Sequence, residues 1–204
     1  MSITHVVVGC TTLCGSAYGV LFNTYVNRHA PSHHPIISSS SPYHYQGDES
    51  GALSDLDTAL SIQPDHPRAL CSRAACHAIA NTAESLAHAA DDYARSIENN
   101  PDADTCCQRA EVLVKMERLP EAVKELTRAL VLCPQHVRAL RARAGVLQQI
   151  GNDAGAADDL AAAAGAAQED VQLQLMAVHA LRGQGRWEEA TVACERCVVV
   201  DAGR

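Results

Sequence analysis

The chain has 204 residues, with 16 Lys and Arg against 24 Asp and Glu, a formal net charge of −8. That balance argues against a dedicated nucleic-acid binder, which needs a basic surface, and the length allows one or two domains. Hydrophobic residues make up 47% but aromatics only 3%. Alanine fills the difference with 35 residues and is the best helix former. No period-two runs of Val, Ile and Tyr follow residue 50, so the composition points to an all-α fold and away from all-β and α/β folds.

Residues 1–46 differ from the rest. The first 47 residues carry one formal charge, Arg28, and two alanines, while five of the seven aromatics lie in the first fifty. The segment reads as a low-order leader followed by a Ser/Pro/His-rich linker (PSHHPIISSSSPYHYQ, 31–46). Residues 6–22 are moderately apolar. They lack a basic flank and a small-x-small cleavage site, and Gly, Thr and Ser interrupt them, so a membrane role is not expected. The expected location is the cytoplasm; the secretory pathway or a membrane is the alternative should 6–22 act as a signal or anchor. His29, His33 and His34 form a short cluster without Cys or carboxylate partners, and no metal is expected there.

From residue 51 onward the sequence repeats. The stretches ALSDLDTALSIQP, AADDYARSIENNP and AVKELTRALVLCP share one pattern: Ala52/Leu56/Ala59/Pro64, Ala89/Tyr93/Ser96/Pro101 and Ala122/Leu126/Ala129/Pro134. The i, i+4, i+7 spacing marks one face of a helix, and the proline ends it. Ala156/Leu160/Ala163 and Ala190/Cys194/Cys197 continue the pattern without proline. Each of these last four helices follows another apolar-periodic stretch: RALCSRAACHAIA, DTCCQRAEVLVKM, RALRARAGVLQQI and QLQLMAVHALRGQ.

A helix–turn–helix unit of about 34 residues with this signature resembles the tetratricopeptide repeat. The resemblance implies an all-α, superhelical array of antiparallel helix pairs, about four and a half repeats long. The partial repeat is 47–66 and the full ones are 67–102, 103–136, 137–170 and 171–204. Small residues (Ala52, Ala74, Ala110, Ala122, Ala144, Ala156) let paired helices approach, and Leu70, Leu113, Leu126, Leu140, Leu147 and Leu160 fill the space between them. The run Ala161–Ala167 departs from the pattern and predicts looser packing near 161–170.

The register also pairs charges. Arg73, Arg109 and Arg143 share one first-helix position, and Asp92, Glu125 and Asp159 share one second-helix position; in the last repeat both become alanine, Ala177 and Ala193. Three ion pairs are expected: Arg73–Asp92, Arg109–Glu125 and Arg143–Asp159.

Catalytic signals are absent. There is no Gly-rich phosphate loop, HExxH or G-x-S-x-G, and His77, His136 and His179 read as lone helical histidines without a nucleophile to serve. No cofactor is expected. Cys194 and Cys197 could form a redox dithiol, but they occupy packing positions of the last helix and lack a βαβ context. Thiol-redox activity is therefore a minor alternative.

What remains is binding. The resemblance implies a non-catalytic module that takes a partner peptide or helix in a concave groove lined by first helices. By register the groove residues are Arg68, Cys71, Ala75, Cys107, Glu111, Arg138, Arg141, Gly145, Gln148, His179 and Arg182. Arg68, Arg138 and Arg141 form a basic spot suited to an acidic or C-terminal peptide. CSRAACH and RALRARA also resemble helices of heat-shock-protein co-chaperones. Their carboxylate clamp is incomplete here, with Ser72, Asp104, Gln108 and Ala142 at clamp positions and only Arg138 matching. A structural subunit that stacks end-on is the other expectation, because the last repeat lacks a polar capping helix and could self-associate.

Overall fold

The computed structural model describes residues 49–202, with side chains from 50 to 196. The leader, the anchor-like run 6–22, the His29/His33/His34 cluster and the side chain of Cys197 lie outside the described residues. The described residues form α-helices and no strand. The helices are α1 (Glu49–Ile62), α2 (Pro67–Ala80), α3 (Ala83–Asn99), α4 (Ala103–Lys115), α5 (Leu119–Leu132), α6 (Val137–Ile150), α7 (Asp153–Ala166), α8 (Val171–Gly183) and α9 (Trp187–Ala202). First helices (α2, α4, α6, α8) alternate with second helices (α1, α3, α5, α7, α9).

Local chemistry sets the helix ends. His66, Asp102, His136 and Asp170 hold the same position before successive first helices. Each side chain accepts the backbone N–H of the third residue on: Ala69 at 3.2 Å, Thr105 at 2.9 Å, Ala139 at 3.2 Å and Leu173 at 3.0 Å. These bonds satisfy donors that a helix start otherwise leaves orphaned. His136, expected to be a lone helical histidine, is therefore the cap just before α6. Thr82 and Ser85 form a reciprocal capping box before α3, and α6 stops at Gly151, whose φ of 85° suits glycine.

Packing follows the small-residue register. Ala74, Ala110, Ala144, Ala52, Ala122 and Ala156 are all buried. One core cluster joins Ile97 of α3, Ala110 and Leu113 of α4, Ala122 and Leu126 of α5, and Ala139 and Val146 of α6. Three successive hairpins thus share one interior, which is how a solenoid buries faces that no single hairpin can cover. The alanine run of α7 is tighter than the sequence suggested. Ala163 and Ala164 are buried against Leu173 and Ala177 of α8, because methyl-sized side chains let the two helices close on each other.

The charged residues of the register meet. Arg73 donates to both oxygens of Asp92 at 2.7 and 2.8 Å, Arg143 does the same to Asp159 at 2.7 and 2.6 Å, and Arg109 donates to Glu125 at 2.5 Å. Each arginine also reaches back to the preceding second helix: Arg73 to Asp57 at 2.7 Å, Arg109 to the carbonyl of Ala90 at 3.2 Å and Arg143 to Thr127 at 3.2 Å. One side chain therefore ties three helices together. Its hydrogen bonds to Asp92 and Asp57 hold the Arg73 guanidinium above its usual range, against the opposing effect of burial.

Asp159 is only 5% exposed, so Arg143→Ala strands a carboxylate with little water. We expect a loss of about 2–3 kcal/mol, below the cost of a fully buried pair because the arginine itself is partly solvated. Arg143→Ala/Asp159→Ala should lose less than the sum of the singles in urea unfolding. His66 and His77 predict a pH effect. Burial, then Arg68, holds His66 below its ordinary 6.5, and burial also lowers His77. The unfolded chain then binds more protons near and below pH 6.5. The stabilisation is complete above that pH and is lost as pH falls through the folded value. His66→Asp, which copies Asp102 and Asp170, should flatten the thermal-stability slope between pH 7 and 5.

Candidate functional site

The first helices α4 and α6 contact each other directly. Between α2, α4 and the start of α6 lies a cleft of about 530 Å³, lined by Ala75, Ala78, Ile79, Asn81, Tyr93, Gln108, Glu111, Val112, Lys115 and Arg138. Tyr93 reaches it from the second helix α3, and its burial pushes the phenol well above its usual range. Lys115 crosses the cleft to donate to the carbonyl of Ala78 at 3.2 Å. The apolar part is Ala75, Ala78 and Ile79 of α2 with Val112 of α4.

Ala75, Glu111 and Arg138 from the sequence reading line this cleft. Arg138 is not the free cation that was expected. It donates to Glu111 at 2.8 Å and lies 3.7 Å from Asp104, whose carboxylate is 3.3 Å from His136 Nε2. Burial lowers the affinity of Arg138 for its proton, but the hydrogen bond and charge of Glu111 outweigh it, and the guanidinium sits above its usual range. Glu111 occupies the one clamp-matching arginine, and Asp104, at a position that would be basic in an intact carboxylate clamp, adds a second acid 3.7 Å away. The basic spot of Arg68, Arg138 and Arg141 is therefore partly neutralised from within. Arg68 and Arg141 are exposed, without an ion-pair partner among the described residues.

Cys107 does not belong to the groove. It is 0% exposed and part of the shared core, with its Sγ 4.0 Å from His136 Nδ1. A helix face read by angle alone puts it toward the groove, but α6 closes over it. Cys71 is half-buried at the junction of α2, α3 and α4, with Sγ 3.3 Å from Ser96 Oγ and 3.5 Å from Thr105 Oγ1. Farther along the array, Arg141, Gln148, His179 and Arg182 are exposed on α6 and α8, and Gly145 is half-buried with open space where a side chain would project. The sequence reading missed Leu175 and Met176, which lie exposed on α8 one turn before His179. Two adjacent large apolar residues at first-helix positions that are Arg141 and Ala142 one hairpin earlier were the available signal. Among the described residues no cluster of three or more His, Cys, Asp or Glu could hold a metal, and no helix is long and apolar enough to cross a membrane.

No protein-family model matches the chain, and no curated protein does. Solved structures do. The chain superposes on MamA with a TM-score of 0.65 at 14% identity, covering 83% of this chain and 98% of that one. For PilF of Pseudomonas aeruginosa the TM-score is 0.64 at 17% identity, with 91% and 78% covered. For YrrB, described as a TPR protein with an unusual peptide-binding site, it is 0.58 at 19% identity, with 75% and 78% covered. At these identities the likeness establishes a tetratricopeptide-like fold.

Thiol exposure separates the cysteines. Burial pushes Cys106 up to about 11 and Cys107 up to about 12, so neither forms thiolate near neutrality. Cys194, expected to be a packing residue, is exposed. Its register equivalents Tyr93, Leu126 and Leu160 are buried because a following first helix lies over them, and no described helix follows α9. Brief iodoacetamide treatment of the native protein at pH 7.5 should label Cys133 and Cys194, leaving Cys106 and Cys107 unmodified until denaturant is added, as read by peptide mass spectrometry.

Proposed function

We propose that this tetratricopeptide-like array is a non-catalytic protein-interaction module that receives a segment of a partner protein along its first-helix face. The cleft between α2, α4 and α6 carries the proposal. It combines small apolar walls with polar groups at its rim, the composition that fixes the pose of a bound segment. The exposed pair Leu175 and Met176 adds a separate apolar patch on α8. Arg68, Arg141 and Arg182 remain available to carboxylates of the partner, in contrast to Arg138, so an acidic or C-terminal peptide is the favoured ligand. YrrB, whose description names a peptide-binding site, supports the reading by analogy of fold only.

A second reading is a structural subunit that stacks end-on. The exposure of Thr191 and Cys194 favours it, because their equivalents Ala157 and Leu160 are buried against the next hairpin, and the exposed Trp187 (61%) adds apolar surface at the same end. The two readings separate experimentally. Arg141→Glu/Arg182→Glu should weaken binding of the partner recovered by pull-down with the intact chain at least about ten-fold, with helix content unchanged by circular dichroism. Unchanged affinity would remove these arginines from the binding face. Concentration-dependent sedimentation abolished by Trp187→Glu would favour end-on stacking instead.

A further inference from the structure

A buried hydroxyl reaches the cleft without a partner. At the register position of Tyr93, the other second helices have Leu56, Leu126 and Leu160. A side chain there has only to fill space, and the Tyr93 ring does so against Ala74, Leu86, Ala89 and Val112. The ring is longer than leucine and ends in a polar atom. Tyr93 is 3% exposed, yet its hydroxyl makes no hydrogen bond to any described residue. A buried phenol normally finds one, and leaving it unpaired is costly.

The surroundings of this hydroxyl are specific. Tyr93 lines the cleft together with Gln108, Glu111 and Arg138. Burial above all keeps the phenol protonated, and of the Glu111–Arg138 pair the acid acts on it more strongly than the arginine. The hydroxyl is therefore a neutral donor in a slightly negative field, which suits an uncharged acceptor better than a carboxylate. Gln108 of α4, half-buried in the same cleft, carries a carboxamide that likewise has no hydrogen-bond partner among the described residues. Its equivalents in the later first helices, Ala142 and Met176, have no such group.

We propose that Tyr93 is a specificity-determining residue of the cleft, its hydroxyl donating to the carbonyl oxygen of an uncharged amide in the bound segment while the Gln108 carboxamide accepts an amide N–H. This role rests on the cleft being the binding site and adds the chemical group that is read there. The amide belongs to a main-chain peptide unit or to an Asn or Gln side chain. Carboxylates of the partner are left to Arg141 and Arg182, outside the cleft. A wholly apolar segment would seal the phenol away from water with nothing to bond, and is rejected on that ground.

The test uses the intact chain and a displayed library of random dodecapeptides, with affinities of the selected peptides measured by fluorescence anisotropy. Tyr93→Phe keeps the ring and removes only the hydroxyl. It should weaken these peptides about five- to ten-fold, and Gln108→Leu by a similar factor, while thermal unfolding of Tyr93→Phe without peptide stays at or above the wild-type midpoint. A fixed Asn or Gln that does not tolerate Asp or Glu assigns the amide to a side chain; tolerance of every residue type there assigns it to the main chain. Peptides that bind Tyr93→Phe with wild-type affinity, or that need Asp or Glu at the position coupled to Tyr93, overturn this role and leave the interaction reading standing. A library that yields no binding peptide overturns both. A midpoint lowered by about 3 °C or more in Tyr93→Phe, the mark of a lost internal hydrogen bond, also overturns the role.

Discussion

Helices that approach through alanine have thin interfaces. A contact made by Ala74, Ala89 and Ala90 brings backbones close but hides little hydrocarbon per residue. Each hairpin must therefore borrow area from its neighbours, and the larger residues sit where they serve two hairpins at once. Ile97 and Leu126 lie in a cluster that also includes residues of α6. Sharing of this sort couples each pair to the next and gives the array its cohesion.

Polar groups finish what the alanines leave open. The acids Asp92, Glu125 and Asp159 are drawn inside by arginines that remain partly in water, so each pair avoids full desolvation of both partners. Glu125 is the least complete of them, with a buried Oε2 that has no partner. The caps perform the corresponding task at the helix starts, and the alternation of histidine and aspartate there shows that the position needs an acceptor more than a particular charge.

The sequence exposed the fold because the fold is periodic. Ala122, Leu126 and Ala129 recur at fixed intervals, and the joint loss of Arg and acid at Ala177 and Ala193 was itself legible as co-variation between repeats. Features that depend on a neighbour's presence were not legible. Cys107 looks groove-facing until α6 closes over it. Cys194 looks buried until no described helix covers it. Arg138 looks free because its partner Glu111 lies 27 residues away on another helix. The capping role of His136 was hidden by its residue type, since histidine is a less usual cap than Asp102 or Asp170. Leu175 and Met176 were passed over because apolar residues on an amphipathic helix are normally assigned to its core side.

The Glu111–Arg138–Asp104 arrangement has a consequence for ligand choice. An incoming carboxylate at Arg138 cannot simply be captured; it must displace resident anions that are already held at short range. The net gain is the difference between two similar bonds, so counting charges on a candidate ligand says little about its affinity at this end of the cleft. Discrimination there falls to contour: which side chain fits between Ala75, Ile79 and Val112 while leaving the internal anion–cation exchange undisturbed.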